Sequence, residues 1–386
     1  MDLTSLFSDD QRMIMDSAQR FAERHGGPAR LRTLRDSDQG YDKEALVAAA
    51  EAGWIGLLVP EDAGGAALGP GSLCLISEQL GRQLCAVPLA PVAAAALALA
   101  HSPAPAHAAR LEALLDGKEL VLPALRTGNA SFTAVRKASA WLVSGRCDGL
   151  GNCQADGFIV EATGDGAHLL LHLPSTTPGL RLHSARGVDG SALACLELRD
   201  VELDESAVIA SAEAAQRLAA RMNDTIQLSI AAEMLGVMDG ASRIVLDYLG
   251  TRVQFGQPIG KFQALRHQSV DNYVQKETVR ALVFEAARAA DQDAAEATQL
   301  AVAARVLAGE SALTLTKSAI QLHGAIGFTD EHNIGLYLKR AMALSALHGP
   351  TGALRRQYRE SLRRHADGNW PGLPRVGTES DADRAF

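Results

Sequence analysis

The chain has 386 residues, of which 47% are hydrophobic and 4% aromatic, with 37 basic against 45 acidic side chains and a net charge of −8. That length points to two or three domains rather than one core, and its richness in Ala and Leu favours helix packed on helix. The negative balance excludes nucleic acid as the expected partner, because phosphate backbones call for a basic stripe.

Five cysteines, Cys74, Cys85, Cys147, Cys153 and Cys195, form no CxxC pair and no zinc-type spacing, so they read as small buried hydrophobes and no metal is expected. No basic stretch leads into an apolar run at the N-terminus, so the expectation is a cytoplasmic protein without a secretory signal. The longest apolar run, Ala86–Ala100, is interrupted by Pro88 and Pro91 and is too short for membrane insertion. It reads as a buried helix.

In chain order, residues 1–118 read as a helical domain. Ser8 is an acceptable N-cap before Asp9 and Asp10, and apolar residues recur at helical spacing through Met13, Ile14, Ala18 and Phe21 until Gly26-Gly27-Pro28 breaks the run. Further helices are expected over Lys43–Ala52, Ser72–Leu84 and Val92–Leu99. The texture changes at 119. Short apolar or alternating runs at Leu120–Leu125, Ala134–Val143, Phe158–Ala162, His168–Leu173 and Leu193–Leu203, separated by Gly, Pro, Ser and Asp clusters, predict an antiparallel β domain over 119–210. Helical periodicity returns over 211–366, with candidates Ala212–Leu249, Gln263–Asp291, Ala294–His323, Gly335–Leu347 and Thr351–His365, the pattern of a helix bundle. Residues 367–386 read as a loose tail.

Two motifs lie in the last domain. Arg252-Val-Gln-Phe255-Gly256 is followed by Pro258-Ile-Gly260-Lys-Phe262-Gln263, and Gln321-Leu-His-Gly324-Ala-Ile-Gly327-Phe328 closes a long helix. Taken alone, Arg252 suits a helix C-terminus, and Gly324 and Gly327 suit helix termination. An arginine fork beside a tight glycine turn also suits a phosphate. In sequence, order and separation both motifs resemble signatures of the acyl-CoA dehydrogenases, FAD enzymes that desaturate acyl-CoA thioesters. The turn Trp54–Gly65 and the helix–β–helix layout resemble that family too, which implies an α+β multidomain fold. The resemblance implies that Arg252, Phe255, Gln263, Gln321, Gly324 and Thr351 contact FAD, mainly that of a neighbouring subunit.

The same resemblance exposes what is missing. The family removes an α-proton with a glutamate while hydride leaves Cβ, and desolvation tunes such a carboxylate toward the working pH. Between Arg340 and Thr351 the glutamate position holds Gly349, and the alternative position on the preceding long helix holds Ile226, with Gln227 beside it. His348 is a weak substitute base with an unperturbed pKa near 6.5. Asp224 and Glu233 are weaker ones, and Asp224 also suits a substrate contact. In the β domain, Gly149 and Gly151 stand where the family places an aromatic residue and a threonine against the flavin ring, and the upstream loop is reduced to Leu125–Asn129.

Retention and loss together resemble the base-less subunit of a bacterial heterotetrameric acyl-CoA dehydrogenase, which completes a FAD site shared with a catalytic homologue. Steroid-side-chain-like acyl groups belong to the substrate range of such complexes, and electron-transfer flavoprotein is the implied acceptor. Two alternatives stay open: a homotetrameric flavoprotein with base-independent acyl-CoA chemistry such as desulfinase-like elimination, and a non-enzymatic relative that no longer binds flavin.

Overall fold

The computed structural model describes residues 8–37, 40–126, 131–151, 154–164 and 166–366. Thr127–Asn129 of the shortened loop, Asn152, Cys153 and the expected tail lie outside the described residues. Helix α1 (Asp9–His25) opens on a reciprocal cap in which Ser8 Oγ accepts from the Gln11 amide and Gln11 Oε1 accepts from the Ser8 amide. It is followed by α2 (Pro28–Arg35), α3 (Lys43–Glu51), α4 (Gly69–Arg82), α5 (Leu89–Ala100) and α6 (Pro105–Leu115). The break expected at Gly26-Gly27-Pro28 is also the start of α2, and α6 is additional to the expected helices. Both have proline in the first turn, where its missing N–H satisfies nothing anyway. Helix α5 is buried from Val92 to Leu99, and among the described residues no helix is long and apolar enough to cross a membrane.

The middle of the chain forms one eight-stranded sheet: β1 (Val121–Ala124), β2 (Ser131–Lys137), β3 (Ala140–Leu150), β4 (Gly157–Gly164), β5 (Ala167–Pro174), β6 (Leu180–Arg186), β7 (Ala192–Asp204) and β8 (Val208–Ser211). The spatial order is β6-β7-β3-β2-β4-β5-β8, with β1 beside β4. Two pairings, β1 with β4 and β2 with β4, are parallel, so the sheet departs from the purely antiparallel expectation. The run expected over Ala134–Val143 is a hairpin. Ala138, at φ 54°, turns the chain between β2 and β3, which apolar alternation alone does not reveal.

Helix α7 (Ala212–Thr251) has 40 residues and is about 60 Å long. Every residue from Asp224 to Ala232 is buried, because α4, α5, α8 and α9 all pack on it. A short hairpin of β9 (Val253–Gln254) and β10 (Gln257–Pro258) leads into α8 (Gln263–Asp291), α9 (Ala297–His323), α10 (Ile334–Ala346) and α11 (Thr351–Ala366). The α4–α7 crossing depends on two glycines. A Cβ on Gly81 would lie 2.0 Å from Glu233 O, and one on Gly236 would lie 1.9 Å from Glu78 O. Backbone meets backbone there, and no side chain can yield.

We therefore expect Gly236→Ala to destabilise the protein by about 1–3 kcal/mol through overpacking. Gly250→Ala, whose Cβ would meet nothing within 4 Å, should be neutral or stabilising by up to about 1 kcal/mol. Urea denaturation of the two variants checks this, and the opposite ranking would contradict the close crossing.

Candidate functional site

Three segments converge on Arg340 of α10. Its Nε and Nη2 donate to Glu233 Oε1 of α7 at 2.8 and 2.6 Å, and Nη1 donates to Asp189 Oδ2 in the β6–β7 turn at 3.0 Å. The Glu233 and Asp189 carboxylates hold the guanidinium pKa above its ordinary value against the cost of burial. Burial pushes the Glu233 carboxyl up and Arg340 draws it back. Beside this node lies a chamber of only about 80 Å³, lined among others by Ser77, Gly151, Ser229, Ile230, Leu347 and His348.

The two positions where the resemblance expects a base hold no carboxylate. Gly349 is buried at φ 106°, and Ile226 is buried on α7. Gln227 is wholly buried and donates from Nε2 to His348 O at 2.8 Å, leaving its Oε1 without a partner. His348 lines the chamber, but burial, and then the nearby Arg305 charge, pushes its pKa down to about 4. That is below the near-neutral range suited to a general base. Glu233 is committed to Arg340.

Arg305 itself is a feature that sequence reasoning missed. It is completely buried on α9 with no carboxylate partner among the described residues, and burial lowers its pKa to about 10. Its Nη2 donates to Leu344 O at 2.6 Å and Leu347 O at 3.4 Å. The cation thus satisfies carbonyls at the C-terminal end of α10, where the helix dipole favours positive charge. The only sequence signal was an arginine on the alanine-rich face that includes Ala301, Ala304, Ala308 and Ala312.

The chain's own β domain does not fit a flavin ring where the resemblance would place one. A Cβ on Gly149 would stand 3.6 Å from Ala346 O, and one on Gly151 would stand 3.9 Å from Leu347 Cδ2. A planar ring between two walls needs about 3.5–4 Å on each face, roughly 7 Å in all. The sheet and the α10–α11 connection are too close for that.

The opposite end of the C-terminal bundle is open. Tyr248, one turn before Arg252, stacks on His323 at 4.6 Å, which brings the end of α7 to the end of α9. Gln268 and Asn272 both donate to Ser318 Oγ, at 3.0 and 2.9 Å, and tie α8 to α9 at the same end. Arg252, Gln263, Gln321 and Gly324 are exposed there. Phe255 is 89% exposed at φ 50°, and Phe328 is 77% exposed. Arg252 has no ion-pair partner among the described residues, and nothing lies within 4 Å of a Cβ built on Gly324. Residues of this kind fit the phosphates and rings of a flavin held mainly by another subunit. Thr351 sits apart, against Gly309 on α9, about 18 Å along the helix from Gln321. Asp224 also sits apart, on the face of α7 turned away from the chamber.

Residues 8–108 match the family model for the acyl-CoA dehydrogenase N-terminal domain, and residues 215–362 match that for the C-terminal domain. The chain belongs to the acyl-CoA dehydrogenase family. It is 29% identical over 358 residues to acyl-CoA dehydrogenase IpdE2 of Mycolicibacterium smegmatis, covering 92% of this chain and 98% of that protein. Its fold is similar to a chain of a variant of the Tcur3481-Tcur3483 steroid ACAD, with TM-score 0.84, 28% identity and coverage of 93% and 99%. It is also similar to a chain of the ChsE4-ChsE5 complex from Mycobacterium tuberculosis, with TM-score 0.83, 25% identity and coverage of 94% and 99%.

The buried histidines give this member of the acyl-CoA dehydrogenase family a pH signature. His172 is pushed down to about 3 by burial, then by Arg110 and His107, and His348 to about 4. Both folded values lie below the unfolded value near 6.5, so the unfolded chain binds more protons as pH falls through that window. Stability should therefore decline between about pH 6.5 and 4, by up to about 1.4 kcal/mol per pH unit for each histidine. Urea midpoints at pH 7, 5.5 and 4.5 should show a shallower decline for His348→Gln, and an unchanged slope would refute the assignment.

Proposed function

We propose that this chain is the non-catalytic subunit of a hetero-oligomeric FAD-dependent acyl-CoA dehydrogenase, completing a flavin site held mainly by a homologous subunit that carries the base. One contrast supports this above all: the flavin seat of the chain's own β domain is closed at Gly149 and Gly151, while Arg252, Phe255, Gln263, Gln321 and Gly324 stand exposed at the far end of α7. In this reading Arg252 offers its planar fork to a flavin phosphate, Gly324 allows close backbone approach, and Phe255 packs on the partner. The bound flavin would accept hydride from the substrate. The reaction is α,β-desaturation of an acyl-CoA thioester, and electron-transfer flavoprotein is the expected acceptor.

The similarity to chains of a steroid ACAD and of the two-component ChsE4-ChsE5 complex supports both the hetero-oligomer and a bulky, steroid-like acyl group. The desulfinase alternative has a relative to recommend it, 3-sulfinopropanoyl-CoA desulfinase of Paraburkholderia xenovorans, 26% identical over 378 residues. It still requires a flavin seat within the chain.

Purified alone, the full chain should be colourless. Co-expressed with its catalytic homologue it should give a yellow complex with one FAD per heterodimer. Arg252→Gln should weaken FAD retention of that complex by about tenfold or more, measured by dialysis and flavin absorbance. One FAD per chain in the isolated protein would overturn the shared-site reading in favour of the homotetramer.

A further inference from the structure

Three aromatic rings lie in series beside the exposed motifs at the end of the bundle. His323, the last residue of α9, is 3% exposed. Its ring stacks on Tyr248 of α7 at 4.6 Å and meets His332, in the link to α10, at 4.5 Å and 50°. Both separations fall in the range of favourable ring pairs. Nδ1 of His323 lies 2.7 Å from Ala319 O, and a carbonyl only accepts, so this nitrogen carries the proton. Its Nε2 is buried without a partner. The ring is therefore held by one bond along its own helix and by its two aromatic neighbours.

Each ring is one step from an exposed motif or from another domain. Tyr248 O accepts from Arg252 N at 2.8 Å, so the ring and the arginine leave the same last turn of α7. Gly324 follows His323 directly, and a Cβ on Gly327 would lie 3.1 Å from His323 Cβ, so the 324–328 turn packs on this residue. His332 Nδ1 accepts from Ile334 N at 3.2 Å, at the start of α10. The N-terminal domain holds the same link. Arg32 of α2 donates to Asn333 Oδ1 and to Asp330 O, both at 2.8 Å, across some three hundred residues of sequence. Burial, then His323 and Arg32, push the His332 pKa down, which keeps that ring neutral near pH 7 and lets two imidazoles meet without repulsion.

We infer that the Tyr248–His323–His332 stack, anchored by Arg32, is a positioning element that sets the 321–328 turn relative to Arg252 and so the strength with which the chain holds a shared flavin. The inference rests on the shared-site reading proposed above. It makes flavin affinity depend in part on the N-terminal domain, through residues that are not among the expected flavin contacts. Tyr248 and His332 are both only half-buried, so either can be replaced at little risk to the fold.

Hydrogen exchange of the isolated full chain tests the positioning without flavin. Tyr248→Ala removes a ring from the stack and should speed amide exchange over residues 321–328 about fivefold or more, whereas Tyr248→Phe, which keeps the ring, should stay within about twofold of wild type. His332→Ala is a second variant with the expectation of Tyr248→Ala, and Arg32→Gln should act in the same direction. In the complex with the catalytic homologue, dialysis should show FAD held about fivefold or more weakly with Tyr248→Ala and within about twofold of wild type with Tyr248→Phe, while gel filtration shows an unchanged assembly. A wild-type complex without FAD would remove the shared-site reading and this inference with it. A wild-type complex that holds FAD, with exchange or FAD affinity indifferent to both Tyr248→Ala and His332→Ala, would overturn the inference alone. Loss of the assembly itself in these variants would make the stack a subunit contact and equally overturn the positioning role.

Discussion

Arg340 is the joint on which the rest of the molecule closes. A guanidinium taken out of water is tolerated only with carboxylates in good geometry, and here Glu233 and Asp189 come from two other segments to supply them. One side chain therefore ties α7, α10 and the β6–β7 turn together. It also commits Glu233, the one carboxylate among the residues lining the chamber, to a structural partner. A free base and a closed joint compete for the same acid, and the joint has it.

Around the position where the resemblance expects a base, polar groups pair with backbone carbonyls. Gln227 holds the His348 carbonyl, Arg305 holds the carbonyls of Leu344 and Leu347, and Gly349 takes a left-handed turn that a side-chain-bearing residue would strain. These contacts draw the α10–α11 connection onto the sheet, where Gly149 and Gly151 permit the approach. Each substitution makes sense beside the others. A ring stacked on the strand would need the space that this packing removes.

Much of this was legible in the sequence. Helical periodicity marked α7, α8 and α9 to within a few residues, because long amphipathic runs carry a strong 3.6-residue signal. Glycine at 349 and isoleucine at 226 are readable without coordinates, since composition at a bracketed position does not depend on packing. The β domain was harder. The β2–β3 hairpin turns at Ala138, a residue with no turn preference, and the parallel pairing of β1 and β2 with β4 is a long-range choice that local alternation does not encode. Arg305 was invisible for a related reason: an arginine is ordinarily a surface residue, and only the tertiary fold shows that it ends beneath α10.

The length of α7 has an evolutionary consequence. Ile226 and Arg252 lie at its middle and its end, 26 residues apart, about 39 Å, far beyond the range over which substitutions ordinarily couple. Changes near one should therefore leave the other energetically unaffected. In a duplicated gene the two regions can diverge at separate rates, one copy losing its reaction centre by single tolerable steps while still serving its sibling. On the proposed shared-site reading, such a long helix between two sites makes division of labour between paralogues a gradual path rather than a leap.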